Sequence, residues 1–192
     1  MSADPAITTE LWLVRHGETE WSRDGKHTST TDLPLTEHGV EVARGLAPRL
    51  ADVEFAQVFT SPRQRARVTA EVAGFPDATP DDDLVEWAYG DYEGVTTEEI
   101  RRTVPGWTVW SHPVPGGETP HEITERLDRV IAKVRASSGR TLVFAHGHSL
   151  RALTARWLEQ PVTEGRYFRL DTSTLSVLGY ERETPVLLRW NS

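Results

Sequence analysis

Short apolar runs alternate with amphipathic stretches along this chain, and no other feature limits its fold as strongly. The runs are predicted to be strands at 11–14, 57–60, 141–145, 175–180 and 186–190. Between them apolar residues recur at helical spacing, as at Ile123, Leu127, Val130 and Val134. This alternation predicts a three-layer α/β/α fold with a doubly wound, mostly parallel sheet. No repeat or linker divides the chain, so 1–192 is predicted to be a single domain.

Hydroxyl side chains mark the points where the predicted helices begin. Such residues accept hydrogen bonds from the free backbone N–H groups of a first helical turn. Five of them precede stretches of helical periodicity, namely Thr36, Ser61, Thr96, Thr119 and Ser149. Pro62 supports the second assignment, because proline is favoured at the first helical position. Segments 18–34 and 74–83 lack periodicity and are predicted to be loops.

The charge balance restricts the ligands that this chain can bind. It has 21 Lys and Arg against 29 Asp and Glu, which gives a net charge of −8. General nucleic-acid binding needs a basic face that neutralises phosphates, so the sequence predicts no nucleic-acid partner. An anionic ligand would have to be held by a local group of arginines.

The chain contains no cysteine. This excludes disulfides, thiolate metal sites and a cysteine nucleophile. No stretch approaches the roughly 18 apolar residues that a membrane span needs, and the N-terminus lacks the pattern of a signal peptide. We therefore expect a cytoplasmic protein without a membrane partner, and the sequence does not predict its oligomeric state.

Polar residues follow three of the predicted strands. Arg15–His16–Gly17 ends the first, Ser61 follows the second, and His146–Gly147–His148 follows the third. The carboxyl ends of parallel strands meet at one edge of an open α/β sheet, where ligands bind. Arg65 lies one helical turn after Ser61 and can point back to that edge. Together with a helix N-terminus, these groups favour an anionic ligand.

Each of these residues also has a purely structural interpretation. A single histidine at a strand end often serves packing alone, and Arg65 could belong to a solvated helix face. His146 and His148 could instead bind a metal, because alternate residues of a strand share a face. A metal site needs further ligands, and the remaining histidines show no ligand spacing. We therefore predict no metal, with a site at His146 and His148 as the alternative.

The motifs and their order resemble the histidine phosphatase superfamily, which includes the cofactor-dependent phosphoglycerate mutases. The similar segments are LVRHGETEWS at 13–22, DLPLTEHG at 32–39, SPRQRA at 61–66, EWAYGDYEG at 86–94, GGET at 116–119 and FAHGH at 144–148. The resemblance extends from residue 11 to about residue 180. It implies a phosphoglycerate mutase-like fold and phosphoryl transfer without a metal or an organic cofactor.

The resemblance implies catalytic roles for five residues. His16 is the nucleophile, Glu86 is the proton donor, and the transferring phosphoryl group is held by Arg15, Arg65 and His146. A neutral imidazole can form a phosphohistidine and so divide one difficult step into two. Arginine suits phosphate because its rigid fork binds two oxygens and stays charged.

The resemblance also implies where substrate binds. The predicted substrate-binding residues are Ser22, Lys26, His27, Thr28, Arg101 and Gly147. Ser22 stands where many family members have Asn, so we expect a shorter or water-mediated phosphate contact there. Segments 30–35 and 89–94 look most like the sugar-phosphate phosphatases of the superfamily, including those that act on sedoheptulose bisphosphate, with the broad-specificity acid phosphatases as the alternative.

Three functions are compatible with this pattern. The chain is shorter than the mutases, which carry additional segments that shield the phosphoenzyme from water. This favours a phosphomonoesterase acting on small phosphorylated metabolites, sugar phosphates among them. The alternative enzyme is a cofactor-dependent phosphoglycerate mutase. A non-catalytic phospho-ligand binding module is the alternative of another class, although binding alone would not require Glu86.

Overall fold

The computed structural model describes residues 9–192, which form a six-stranded sheet with helices on both faces. The strands are β1 (Glu10–Arg15), β2 (Gln57–Thr60), β3 (Thr79–Pro80), β4 (Arg140–Ala145), β5 (Leu175–Glu181) and β6 (Thr184–Arg189). The helices are α1 (Glu20–Arg23), α2 (Glu37–Arg44), α3 (Ala47–Leu50), α4 (Gln64–Val72), α5 (Thr97–Arg101), α6 (Pro120–Ala136) and α7 (Gly147–Trp157). Short 3₁₀ turns lie at Asp82–Leu84, Gly90–Tyr92 and Val162–Tyr167.

The sheet is mostly parallel, as predicted. Its strand order is β3-β2-β4-β1-β5-β6, in which β3, β2, β4 and β1 are parallel. β5 and β6 add an antiparallel hairpin at one side. The carboxyl ends of β1, β2 and β4 therefore meet at one edge, which is where the sequence places its polar motifs.

Two apolar layers cover the sheet, and neighbouring residues of β1 contribute to opposite ones. Leu13 packs in the layer that contains Leu127 of α6 and Leu153 of α7. Val14 packs in the layer formed with Leu46 and with Ala70 of α4. This alternation is the two-residue period of a strand buried on both faces, and it confirms the three-layer fold.

The structure confirms three predicted helix starts. The hydroxyls of Thr36, Thr96 and Thr119 each accept a hydrogen bond from a backbone N–H of the turn that follows. In the last two, the carboxylate of a glutamate three residues later accepts the backbone N–H of the cap residue, which is the reciprocal arrangement of a capping box.

The other two predicted helix starts are wrong. The helix after Ser61 begins only at Gln64, whose backbone N–H donates 2.8 Å to the Asp32 carboxylate from a distant loop. The Ser61 hydroxyl accepts the Arg63 N–H only at 3.4 Å, ahead of the helix, and its shorter bond is to His146 at 2.7 Å. Helix α7 already begins at Gly147, so Ser149 lies inside its first turn.

The predicted loops contain short regular elements. Segment 18–34 includes α1, capped by Thr19, and segment 74–83 includes the edge strand β3. Within residues 9–192, no helix is long and apolar enough to cross a membrane.

Candidate active site

The motifs that follow β1 and β4 line one cavity at the carboxyl edge of the sheet, and Ser61, which follows β2, is buried behind it against His146. Its volume is about 170 Å³, and it is lined by Arg15, His16, Ser22, Gly25, Lys26, His27, Thr28, Glu86, Tyr89, Gly147, His148, Arg151 and Leu170. Ligand pockets for drug-sized molecules usually measure about 300–1,000 Å³. This cavity therefore encloses a phosphate group and a few neighbouring atoms rather than a large ligand.

The predicted site residues are divided between the cavity wall and the layer behind it. Arg65 and His146 do not line the cavity but are fully buried, and the His146 ring lies 5.1 Å from the His16 ring. Arg101 does not line the cavity, and its Nε donates 2.9 Å to the Trp107 carbonyl. The contact of Arg101 with substrate therefore stays a prediction.

A single hydrogen bond fixes the tautomer of His16. Its Nδ1 lies 2.7 Å from the Gly17 carbonyl oxygen. A carbonyl can only accept, so Nδ1 carries the ring proton and Nε2 keeps its lone pair. Nε2 is therefore the nitrogen available for attack on an electrophile.

The surroundings of His16 keep its imidazole neutral. Burial, with the nearby positive charges of Arg65 and Arg15, lowers the pKa of His16 well below its usual value. The imidazolium form is disfavoured because it would add a third positive charge in a desolvated place. A neutral ring is what a nitrogen nucleophile requires.

Arg65 and His146 form a buried hydrogen-bonded chain with Ser61. Arg65 Nε donates 3.1 Å to His146 Nδ1, so that nitrogen is unprotonated. The proton of His146 then resides on Nε2, which donates 2.7 Å to the Ser61 hydroxyl. Both ring nitrogens are thereby occupied, and the structure uses His146 to connect Arg65 to the strand ends.

The remaining donors of Arg65 hold the loop at 28–31. They reach the carbonyl oxygens of Thr31, Ser29 and Thr28 at 3.0, 3.1 and 3.3 Å. On the opposite side of this loop, the Glu93 carboxylate accepts the N–H groups of Ser29 and Thr31 at 2.8 and 3.0 Å. The loop thus lies between a carboxylate and a guanidinium, which fixes Arg65. Glu93 was not predicted, although it lies in the segment at 86–94 that carries the family resemblance.

Arg15 is placed by Gly147 and by one carbonyl. Its Nη1 donates 2.6 Å to the Leu170 carbonyl, whereas its buried Nε has no hydrogen-bond partner. A Cβ at Gly147 would lie 3.3 Å from Arg15 Cζ. Gly147 therefore lets the guanidinium rest against the first turn of α7, where an N–H donor is free to meet an anion.

Glu86 binds the amino end of α7. Its Oε1 accepts the N–H groups of Ser149 at 2.7 Å and Trp87 at 2.9 Å, and its Oε2 accepts the N–H of His148 at 3.0 Å. The side chain is only 6% exposed although it lines the cavity. Oε2 accepts one hydrogen bond and Oε1 accepts two, so Oε2 is the oxygen with more free acceptor capacity.

The predicted loop residues line the cavity, but Ser22 is engaged elsewhere. Its hydroxyl accepts from the Thr19 N–H at 2.9 Å and donates to the Thr19 carbonyl at 3.0 Å. The group expected to contact phosphate thus caps α1. Lys26 and Thr28 lie in the wall as predicted, with His27, and burial lowers the pKa of His27 to about 4.

Five residues of the cavity wall were not predicted as catalytic or substrate-binding residues, namely Gly25, Tyr89, His148, Arg151 and Leu170. The Tyr89 hydroxyl is hydrogen-bonded to His148 Nδ1. The Arg151 guanidinium lies 4.7 Å from the centre of the Trp110 ring, and its Nε donates 3.1 Å to the Gly165 carbonyl. Arg151 follows Gly147 by four residues, so helical periodicity could have placed it on the same face of α7.

The alternative metal site is not supported by the geometry. Both nitrogens of His146 are hydrogen-bonded to protein, and Nδ1 of His148 is bonded to Tyr89. Across residues 9–192, no three His, Cys, Asp or Glu side chains are grouped so that they could hold a metal ion.

Comparisons with known proteins agree with this geometry. A family model described as "Histidine phosphatase superfamily (branch 1)" matches residues 11–192. An acid phosphatase of Mycobacterium tuberculosis is 39% identical over 175 residues, which cover 89% of this chain and 86% of that protein. A sedoheptulose 1,7-bisphosphatase of Saccharomyces cerevisiae is 38% identical over 190 residues, covering 80% and 69%. A solved structure of a Mycobacterium tuberculosis open reading frame superposes with a TM-score of 0.91 at 36% identity, covering 95% and 96%.

Proposed function

This chain belongs to the histidine phosphatase superfamily and is a phosphoric monoester hydrolase, and we propose that it hydrolyses small sugar phosphates through a phosphohistidine formed at His16. The observation that carries the mechanism is the hydrogen bond from His16 Nδ1 to the Gly17 carbonyl. It leaves the Nε2 lone pair free in a cavity lined by arginines.

In the first step, His16 Nε2 attacks phosphorus and the bond from phosphorus to the ester oxygen breaks. Glu86 gives its proton to that oxygen, and the alcohol leaves. Arg15 supplies a fixed N–H donor to the equatorial oxygens, where charge spreads during phosphoryl transfer. General acid catalysis of this kind contributes about 10²–10⁴-fold.

In the second step, water attacks the phosphohistidine. Glu86, now ionised, takes a proton from the water, the N–P bond breaks, and inorganic phosphate leaves. Arg65 and His146 lie behind the cavity wall, and we assign fixed positive charge to Arg65 and the orientation of the Arg65 guanidinium to the neutral His146 ring. Their direct contact with the phosphoryl group stays a prediction. No metal enters either step, because Arg15, Lys26 and Arg151 supply the positive charge of the cavity wall.

The substrate class rests on two observations. The yeast relative is named for a sugar bisphosphate, and the cavity encloses little more than a phosphate group and its first neighbours. Polar wall residues such as Lys26 and His27 suit the hydroxyl groups of a sugar. A cytoplasmic location stays a prediction from the sequence.

The experiment is a comparison of leaving groups. Glu86→Gln should lower kcat for sugar phosphates by about 10²–10⁴-fold and much less for p-nitrophenyl phosphate, whose phenolate leaves without a proton. Equal losses on both substrates would mean that Glu86 is not the acid. Rapid quenching into base with a ³²P-labelled substrate should trap label on the wild type and none on His16→Ala. Conversion of 3-phosphoglycerate into its 2-isomer faster than phosphate release would reverse the choice of hydrolase over mutase.

A further inference from the structure

A buried ion pair is hydrogen-bonded to the chain on both sides of Glu86. Arg126 of α6 and Glu118 form a two-pronged salt bridge, with Nε to Oε1 at 2.6 Å and Nη2 to Oε2 at 2.8 Å. Their side chains are 8% and 13% exposed. Neither residue lines the cavity at the sheet edge.

Each partner of the pair uses its remaining capacity on the segment at 83–88. Arg126 Nη1 donates to the carbonyl oxygens of Asp83 and Val85, both at 2.9 Å, on the N-terminal side of Glu86. On its C-terminal side, Glu118 accepts the Trp87 indole N–H at its backbone carbonyl, 2.8 Å away, and the Ala88 N–H at Oε2, 3.3 Å away.

This arrangement is a costly way to gain stability. A buried ion pair loses several kcal/mol of hydration per ion, and apolar residues of similar size often stabilise a fold as well or better. The segment it holds has only a single 3₁₀ turn at 82–84 and no strand pairing. The pair is therefore weak evidence for a stabilising role, and the segment that it binds directs attention to positioning.

We propose that Glu118 and Arg126 are a positioning pair that orients the Glu86 carboxyl toward the leaving-group oxygen. The proposal rests on the function proposed above, in which Glu86 gives its proton to that oxygen. Proton transfer requires heavy atoms within about 2.6–3.2 Å, and an error of 1 Å in placement can cost about 10²-fold in rate. The pair then acts only on steps that use the acid.

The test substitutes one partner without removing its bulk. Glu118→Gln keeps the size and one acceptor oxygen, and Arg126→Lys keeps the charge but loses the fork. We expect either variant to lower kcat for a sugar phosphate by about 10–10²-fold, with kcat for p-nitrophenyl phosphate within about 2-fold of wild type. KM for both substrates should change little, because neither residue contacts substrate.

The chain offers a matched control. Arg156 and Asp128 form a two-pronged pair between α7 and α6 at 2.8 and 3.1 Å, away from the cavity. Asp128→Asn should leave the ratio of the two kcat values unchanged. Glu118→Gln combined with Glu86→Gln should be no slower on the sugar phosphate than Glu86→Gln alone, because the group being aimed has lost its proton.

The outcomes separate the two proposals. Equal losses on both substrates in Glu118→Gln and Arg126→Lys, or a full additional loss in the double variant, would overturn the positioning role while leaving Glu86 as the acid. A Glu86→Gln variant without leaving-group dependence would overturn the acid, and the positioning role with it. Thermal melting of each variant shows whether it is folded. Because Glu118→Gln and Arg126→Lys change opposite partners of the pair, either variant tests the positioning role as long as it is folded.

Discussion

Gly147→Ala should separate activity from stability, because the added methyl group affects both the helix propensity of α7 and the position of the Arg15 guanidinium. Gly147 is the first residue of α7, and its φ is not in the left-handed region, so alanine fits the backbone. Its Cβ would lie 3.3 Å from both Cζ and Nε of Arg15. This is tighter than ordinary contact, and the guanidinium must move by a few tenths of an ångström.

The two effects have opposite signs. Alanine is favoured over glycine in a helix by roughly 0.5–1 kcal/mol, less at a first position, and for a chain of this size 1 kcal/mol shifts Tm by roughly 2–4 °C. We expect Tm to stay equal or to rise by up to about 3 °C. A displacement of a few tenths of an ångström should lower kcat/KM by roughly 3–10-fold, a part of the roughly 10²-fold that 1 Å can cost.

The assay pairs thermal melting with kcat/KM for p-nitrophenyl phosphate, a substrate that does not depend on the acid. In an Arg15→Ala background, Gly147→Ala should cause no further loss, because the group that it displaces is gone. An unchanged kcat/KM would refute the placement of Arg15 against the transferring phosphoryl group. A fall in Tm of several degrees would refute the argument that the contact yields at the flexible end of a side chain.

Three other predictions test the surroundings of the site. Glu93→Gln should lower kcat/KM by about 10-fold by releasing the loop that holds Arg65, and should cost about 1–3 kcal/mol of unfolding free energy, measured by urea titration. Burial lowers the pKa of His27 to about 4, so between pH 6.5 and 4 this residue binds a proton more readily in the unfolded chain; its contribution to the free energy of unfolding should fall with pH by up to about 1.4 kcal/mol per pH unit, and His27→Gln should reduce the measured slope by that part, the rest coming from the buried His16, His146 and His148. EDTA should leave the rate of phosphate release within about 20% of the untreated rate, which is roughly the precision of such an assay, because arginine and lysine supply the positive charge of the cavity wall. A loss of activity that zinc or magnesium restores would contradict this.

The sequence predicted the parts of the site that lie at strand ends. Arg15 and His146 follow apolar runs directly, so the topology of an open sheet brings them together without further information. The same holds for β1 and β4, whose residues are buried and alternate between the two layers. Three helix caps were also predictable, because Thr36, for example, bonds within its own turn.

The structure departs from the expectations where hydrogen bonds that the local sequence pattern does not reveal decide the place of a residue. Ser61 has the local sequence of a cap, but Asp32 caps α4 and His146 takes the serine hydroxyl. Arg101 lies in a segment that resembles a substrate loop, yet its Nε donates a hydrogen bond to the Trp107 carbonyl six residues away. Arg151 was missed because its role depends on where α7 begins, and that start was placed three residues too late.

The arginines around His16 are held in a way that leaves the surrounding side chains free to vary. The hydrogen bonds that anchor Arg15, Arg65 and Arg151 go to main-chain carbonyl oxygens, apart from the one to His146. Every amino acid presents a carbonyl, so the loops at 28–31 and 165–170 can change residues without losing these anchors. In these loops the backbone therefore holds the arginines that phosphoryl transfer needs, whereas the side chains are available to determine the choice of substrate. Selection can alter one while the other is inherited unchanged.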